Sequence, residues 1–158
     1  PPKTAAAART LRVLFAMATL PALGLDPGHA ARAAEVIASQ EANVDGVVAE
    51  ITRCQRKDDV LTVVMELRNT GDQETSLNPV YSRGYDDYYI TAKNKKYLML
   101  RDTQDKPLAR PNADTPITLK PGQSWTWWAK YPAPPPDVTS ITYFTYVTLP
   151  FEDIPISN

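Results

Sequence analysis

One cysteine and one histidine in 158 residues leave this chain little to do chemistry with. The lone thiol, Cys54, has no partner for an internal disulfide, so no cross-link can support the fold. A zinc or copper site built from imidazole and thiolate would find at most two ligands, and Met65 and Met99 sit in strand-like patterns rather than beside them. Glycine is scarce as well: beyond residue 33 it occurs only at positions 46, 71, 84 and 122, so no glycine-rich phosphate loop exists. No basic block exceeds the short group Lys93, Lys95 and Lys96, which excludes the electrostatic footprint of a nucleic-acid binder.

Long apolar runs are missing too. The longest, Val13 to Leu25, has 13 residues, interrupted by Thr19 and Pro21. A bilayer-crossing helix needs about 20. Arg9 and Arg12 precede the run and small residues follow it, which is the order of a secretory leader. Cleavage fits after Ala30 (Gly28-His29-Ala30) or after Ala33 (Ala31-Arg32-Ala33). The expected organisation is a leader helix over residues 1–33, a lead-in segment over 34–43 and one domain over 44–158. A periplasmic or secreted, bacterial setting follows from the leader. The alternative is that the apolar segment is retained, as an anchor or docking helix of a membrane-complex subunit.

Cleavage has two consequences. It removes His29, so neither a Ser-His-Asp nor a Cys-His arrangement keeps a general base. It also removes four basic residues and one acid, leaving 13 basic and 17 acidic residues and a net charge of −4. Cys54 lies away from the cleavage point, so lipid attachment is not expected; two readings stay open for it, a small buried residue near a strand end or a pairing site for another chain.

What the chain does contain is period two. Leu61, Val63, Met65 and Leu67 place four apolar side chains on one face, with Thr62, Glu66 and Arg68 on the other. Val47, Ala49 and Ile51 begin an earlier strand, ended by a turn over Gln55–Asp59. Weaker signals predict a strand over 74–77 and a hairpin of 88–92 with 97–101, tipped by Lys93-Asn94-Lys95-Lys96. Residues 102–116, rich in Asp, Asn and Pro, read as a long loop. Lys120-Pro121-Gly122-Gln123 suits a type II turn into a strand over 124–131. The prolines from Pro132 to Pro136 read as a polyproline-like connector, and a last strand runs over 140–149. About seven strands with turn signals every ten residues or so predict an all-β, immunoglobulin-like antiparallel β-sandwich.

Two segments carry a resemblance. The run from Val60 to Asp72, a strand closing in Asn69-Thr70-Gly71-Asp72, resembles the strand and N-T-G-D turn of bacterial secreted immunoglobulin-like domains. The run from Ile117 to Ser124 is similar to their later L-x-P-G-x-S turn, in the same order and about 50 residues on. The resemblance implies the fold and an extracytoplasmic setting. It brings no catalytic residue, since such domains are accessory or binding modules.

Carboxylate pairs stand at Asp58-Asp59, Asp86-Asp87 and Glu152-Asp153. Glycoside hydrolysis needs two carboxylates about 5–10 Å apart across one cleft, whereas neighbours on a strand point to opposite faces. The first pair reads as a solvated turn and the third as a solvated bend. The second has oxygen ligands that suit Ca²⁺ but lacks the spacing of a calcium loop. No catalytic residue, metal ligand or cofactor is therefore assigned.

The densest unusual feature is aromatic. Tyr81, Tyr85, Tyr88 and Tyr89 surround Arg83, Asp86 and Asp87, and Trp125, Trp127 and Trp128 follow later. Tyrosines with directional charges suit a recognition face, and Tyr81, Arg83, Tyr85, Asp86, Asp87 and Tyr89 are the expected contacts with a protein partner. The competing reading buries Tyr88 with Ile90 and leaves Tyr89 as a lone surface ring. The tryptophans read as core at 125 and 127, with Trp128 on a covered edge. A non-enzymatic binding or accessory protein is the expectation; a membrane-complex subunit, a carbohydrate-binding module using stacked aromatics and, last, a weak hydrolase are the other readings.

Overall fold

The alternation beginning at Val60 becomes strand β3 (Val60–Asn69), and all four of its expected inward residues are completely buried. Register explains why the set is buried together: one residue of slip would turn every member to water. The computed structural model describes residues 35–81 and 84–158. The expected leader over 1–33 lies outside the described residues, as does Arg83.

Strand β2 (Val47–Lys57) pairs with β3 along its whole length. It is longer than the sequence predicts, and the turn expected over Gln55–Asp59 shrinks to Asp58-Asp59, both exposed. A bulge at Thr52 accounts for the difference, because Ile51 faces Met65 while Arg53 already faces Val64. The extra residue switches the inward parity from odd to even numbers, so Cys54 rather than Arg53 enters the core.

Strand β1 (Ala38–Glu41) extends this sheet at one edge, so the lead-in is extended and not helical. On the other side β3 pairs with β8 (Ser124–Pro132), giving the order β1-β2-β3-β8. The outer edge of β8 is not bare. Leu100, at the end of the expected hairpin strand, and Arg110, in the expected long loop, donate to the carbonyls of Lys130 and Trp128, and Lys130 donates to Leu108, each at 2.9 Å. That irregular segment satisfies backbone groups that an exposed edge would offer to another chain.

A second antiparallel sheet, in the order β10-β9-β5-β6, is built from β5 (Tyr89–Ala92), β6 (Lys95–Leu98), β9 (Ser140–Phe144) and β10 (Phe151–Pro155). The β5–β6 hairpin turns on Lys93-Asn94 alone, with φ of +46° and +59°. Positive φ at both central residues is the type I′ geometry that matches strand twist. The strand expected over 140–149 stops at Phe144. Thr145 Oγ1 accepts from the Thr148 backbone N–H at 3.0 Å, and this local bond diverts the chain from the ladder. The chain then returns as β10, where a solvated bend was expected. Glu152 and Asp153 are indeed exposed, but as a bulge within a strand that sends both Phe151 and Ile154 inward.

A small third sheet pairs β4 (Thr75–Leu77) with β7 (Ile117–Leu119). Gly122, at φ +77°, completes the expected turn, and Gln123 N–H donates to Lys120 O at 2.9 Å. Ten strands thus form among the described residues, against about seven expected; β1, β7 and β10 are the additions. All pairings between named strands are antiparallel.

Side chains from the two four-stranded sheets meet in one core. Trp127 on β8 donates its indole N–H to the hydroxyl of Tyr143 on β9 at 2.8 Å, and the Tyr88 ring lies 4.3 Å from Trp127. Buried tyrosines must find partners for their hydroxyls. Tyr131 donates to Tyr143 at 3.5 Å and Tyr88 to the carbonyl of Pro79. The core thus combines a hydrogen-bonded aromatic group with equally buried aliphatic side chains.

Candidate functional site

The tyrosine-rich segment begins at a sharp corner. Gly84, at φ +67°, opens a single 3-10 turn over Gly84–Asp87, and Tyr88 N–H closes onto Tyr85 O at 3.1 Å. The turn rotates successive side chains in different directions, so Tyr85 points to the core while Asp86 stays exposed. Tyr81 is 56% exposed and tilts against Tyr146, with ring centroids 6.1 Å apart. Tyr85 turns inward, stacks on Trp127 at 6.0 Å and donates to Arg110 O at 3.3 Å. Burial pushes its hydroxyl pKa up. Asp86 is exposed and accepts from Arg101 at 2.9 Å, whose other guanidinium nitrogen binds Asp105 O. Asp87 is half-buried.

Tyr88 is fully buried with Ile90, as the competing reading had it. Tyr89, however, is not a lone ring. It lies in register between Leu98 on β6 and Phe144 on β9, and the three form a row across the outward face of the second sheet. Tyr89 and Phe144 stack at 4.5 Å with 10° between ring planes. The Lys96 ammonium sits 3.6 Å above the Tyr89 centroid, a cation–π contact. Leu98 is 52% exposed. The next row down is Lys96, Thr91 and Thr142, polar throughout. It opens into a cleft of about 600 Å³ that also touches Lys93, Ser140 and Asp153. Lys93 pairs with Asp137 beside it, which holds the Asp137 carboxyl below the usual carboxylate range.

Leu98, Phe144 and Lys96 were not among the residues expected from sequence. Their signal is the strand register, which no single segment carries. The tryptophans divide as their neighbours dictate. Trp127 is core; Trp125 is half-buried beneath the Arg110 guanidinium at 4.5 Å; Trp128 is half-buried on the outward face opposite Val64.

Cys54 is 1% exposed, and burial pushes its thiol up to about 12. A thiol so held is neither nucleophile nor ligand at neutral pH, and the reading in which it pairs with another chain gives way. Among the described residues no three His, Cys, Asp or Glu side chains cluster as a metal site would need, and Asp86 is committed to Arg101. No helix among them is long and apolar enough to cross a membrane. No protein-family model, curated protein or solved structure gives a significant match to this chain.

Proposed function

We propose that this chain is a non-enzymatic, extracytoplasmic binding or accessory protein with an immunoglobulin-like sandwich fold, and that it acts through contact with a protein partner. The observation that carries the reading is the row Leu98, Tyr89 and Phe144 on the outward face of the second sheet. An apolar row flanked by a lysine and two threonines has the make-up of a contact surface: rigid aromatic area at the centre, polar groups at the rim. Lys96 supplies a positive charge directly over the Tyr89 ring. The sandwich reading is supported by the core itself, where indole and phenol groups from two antiparallel sheets bond to each other. The extracytoplasmic setting rests on the basic, apolar, small-residue order of residues 9–33. Among the described residues the one thiol is buried and no histidine is present, which supports a binding role over catalysis.

Affinity capture from a periplasmic or secreted extract tests the reading. Wild type is compared with a Tyr89→Ala, Leu98→Asp double variant, after both are shown to melt alike. A specific protein recovered by wild type and lost by the variant is the expected result. Equal recovery of every co-purifying protein removes this row as the contact surface.

A further inference from the structure

The geometry points to a second ligand site, a cleft that seats a neutral sugar ring on the face of Tyr81, beside Tyr146. It is an open cleft of about 340 Å³, lined by Asn43, Val44, Leu77, Asn78, Tyr81 and Tyr146. That volume falls at the low end of small-molecule sites, which run from about 300 to 1,000 Å³. Three stretches distant in sequence converge to make it: the turn after β1, the residues after β4 and the chain after β9. Their junction is fixed from behind. Asn43 N–H donates to Val147 O at 2.7 Å, its carboxamide donates to Tyr146 O at 3.2 Å, and Tyr88 anchors Pro79 next to Asn78. With the backbone braced in this way, only side chains have to adjust when a ligand arrives.

The lining chemistry selects the class of ligand. It comprises two phenol rings, two carboxamides and two aliphatic side chains, and none of the six carries a charge. Among the described lining residues an ionic ligand would lose water without gaining a counter-charge. A purely apolar ligand would cover the carboxamides and leave them unpaired. A pyranose ring avoids both costs, because its C–H face lies on an aromatic ring while its hydroxyls both donate to and accept from amides. The Tyr81 ring is available for this, being exposed and only tilted against its neighbour, with 37° between planes. Asn78 adds an independent sign. Its Oδ1 is sealed from solvent and finds no hydrogen-bond donor among the described residues. Such an oxygen costs about 1–3 kcal/mol, and a structure that tolerates one needs a reason. Reorienting the carboxamide toward a sugar hydroxyl in the cleft supplies the missing donor.

The test is an NMR titration of the full chain with two neutral probes, cellotetraose and chitotetraose. At least one should produce saturable shifts in the side-chain amide signals of Asn43 and Asn78. Tyr81→Ala should weaken that binding by about tenfold or more, as truncating an anchoring ring does, at unchanged melting temperature. Tyr89→Ala should leave it unaltered, which separates this cleft from the protein-contact row proposed above. The assignment is overturned if neither probe saturates, if the shifts map to Tyr89 and Phe144 instead, or if Tyr81→Ala binds as tightly as wild type.

Discussion

The side-chain amide of Asn69 donates to the backbone carbonyl of Leu119 at 2.8 Å, across 50 residues of sequence. The same nitrogen donates to Gln73 O at 2.7 Å, and Oδ1 accepts from Gly71 N–H at 2.9 Å. Its backbone is engaged as well, donating to Gln123 O and accepting from Gly122 N–H, both at 2.9 Å. Asn69 therefore ties the turn after β3 to the turn before β8. It is a fully buried polar residue, and its bond to Leu119 is buried with it, where no water can replace the carboxamide.

Asn69→Ala should accordingly destabilise the domain by about 2–4 kcal/mol, since two carbonyls and one N–H lose their partner together. Urea denaturation followed by tryptophan fluorescence measures this. A loss below about 1 kcal/mol would mean that water enters and replaces the carboxamide.

The Asn-Thr-Gly-Asp and Lys-Pro-Gly-Gln turns were legible in sequence as two separate signals, but their contact was not, because side-chain reach across 50 residues leaves no local trace. The same division runs through the fold. Strand β3 was legible because its alternation is unbroken. Cys54 was not placed, because the bulge at Thr52 changes the inward parity partway along β2. Strand β10 was missed because its inward residues, Phe151 and Ile154, stand three apart rather than two or four. In the candidate site, the dense tyrosines of residues 81–89 were legible from composition. The partners of Tyr89 were not, because Leu98 and Phe144 reach it only through pairing of distant strands.

Alkaline pH should unfold the domain cooperatively. Burial pushes the hydroxyls of Tyr88, Tyr131 and Tyr143 well above their usual range and the Cys54 thiol to about 12. In the unfolded chain these groups ionise near their ordinary values, about 8.5 for cysteine and about 10 for tyrosine. Above those values the native state binds more protons than the unfolded one, so stability falls as pH rises. The loss begins near pH 8.5 through Cys54 and steepens above about pH 10, by about 1.4 kcal/mol per pH unit for each group. Urea midpoints from pH 7 to 11 should be level and then drop, with the first part of the drop absent in Cys54→Ala. Gradual, non-cooperative ionisation of all eight tyrosines near pH 10 would contradict the burial of these three.

Six exposed non-glycine residues among those described carry a backbone conformation better suited to glycine, and two of them test what it costs. Asn94 stands at φ +59° in the β5–β6 turn and Asp153 at φ +52° in the β10 bulge. The left-handed region costs most L-residues about 1–2 kcal/mol, although Asn and Asp bear it better than others. Asn94→Gly should be neutral or stabilising by up to about 1 kcal/mol, whereas Asn94→Val should destabilise by about 1–2 kcal/mol. Asp153→Gly and Asp153→Val should follow the same pattern. Equal melting temperatures for the Gly and Val variants at either position would show that the turn there is not left-handed.

The four tyrosines that the sequence places within nine residues should respond to truncation in a steep order, because their surroundings differ so much. Tyr88 is fully buried against Trp127 and bonded to Pro79, so Tyr88→Ala should cost about 3–5 kcal/mol and remove most of the stability of a domain this size. Tyr85 is half-buried, and its stack on Trp127 and bond to Arg110 make Tyr85→Ala worth about 1–3 kcal/mol. Tyr89 keeps its backbone pairing but loses the Phe144 stack and the Lys96 contact, for about 0.5–2 kcal/mol. Tyr81 is mostly exposed and should cost under about 0.5 kcal/mol. Binding should run the other way: Tyr89→Ala should release a protein partner and Tyr81→Ala a sugar, each from a folded domain. Thermal melts and binding measured on the same four variants separate the two effects. If Tyr81→Ala unfolds the domain, or Tyr88→Ala leaves it intact, the division of this segment into core and surface is wrong.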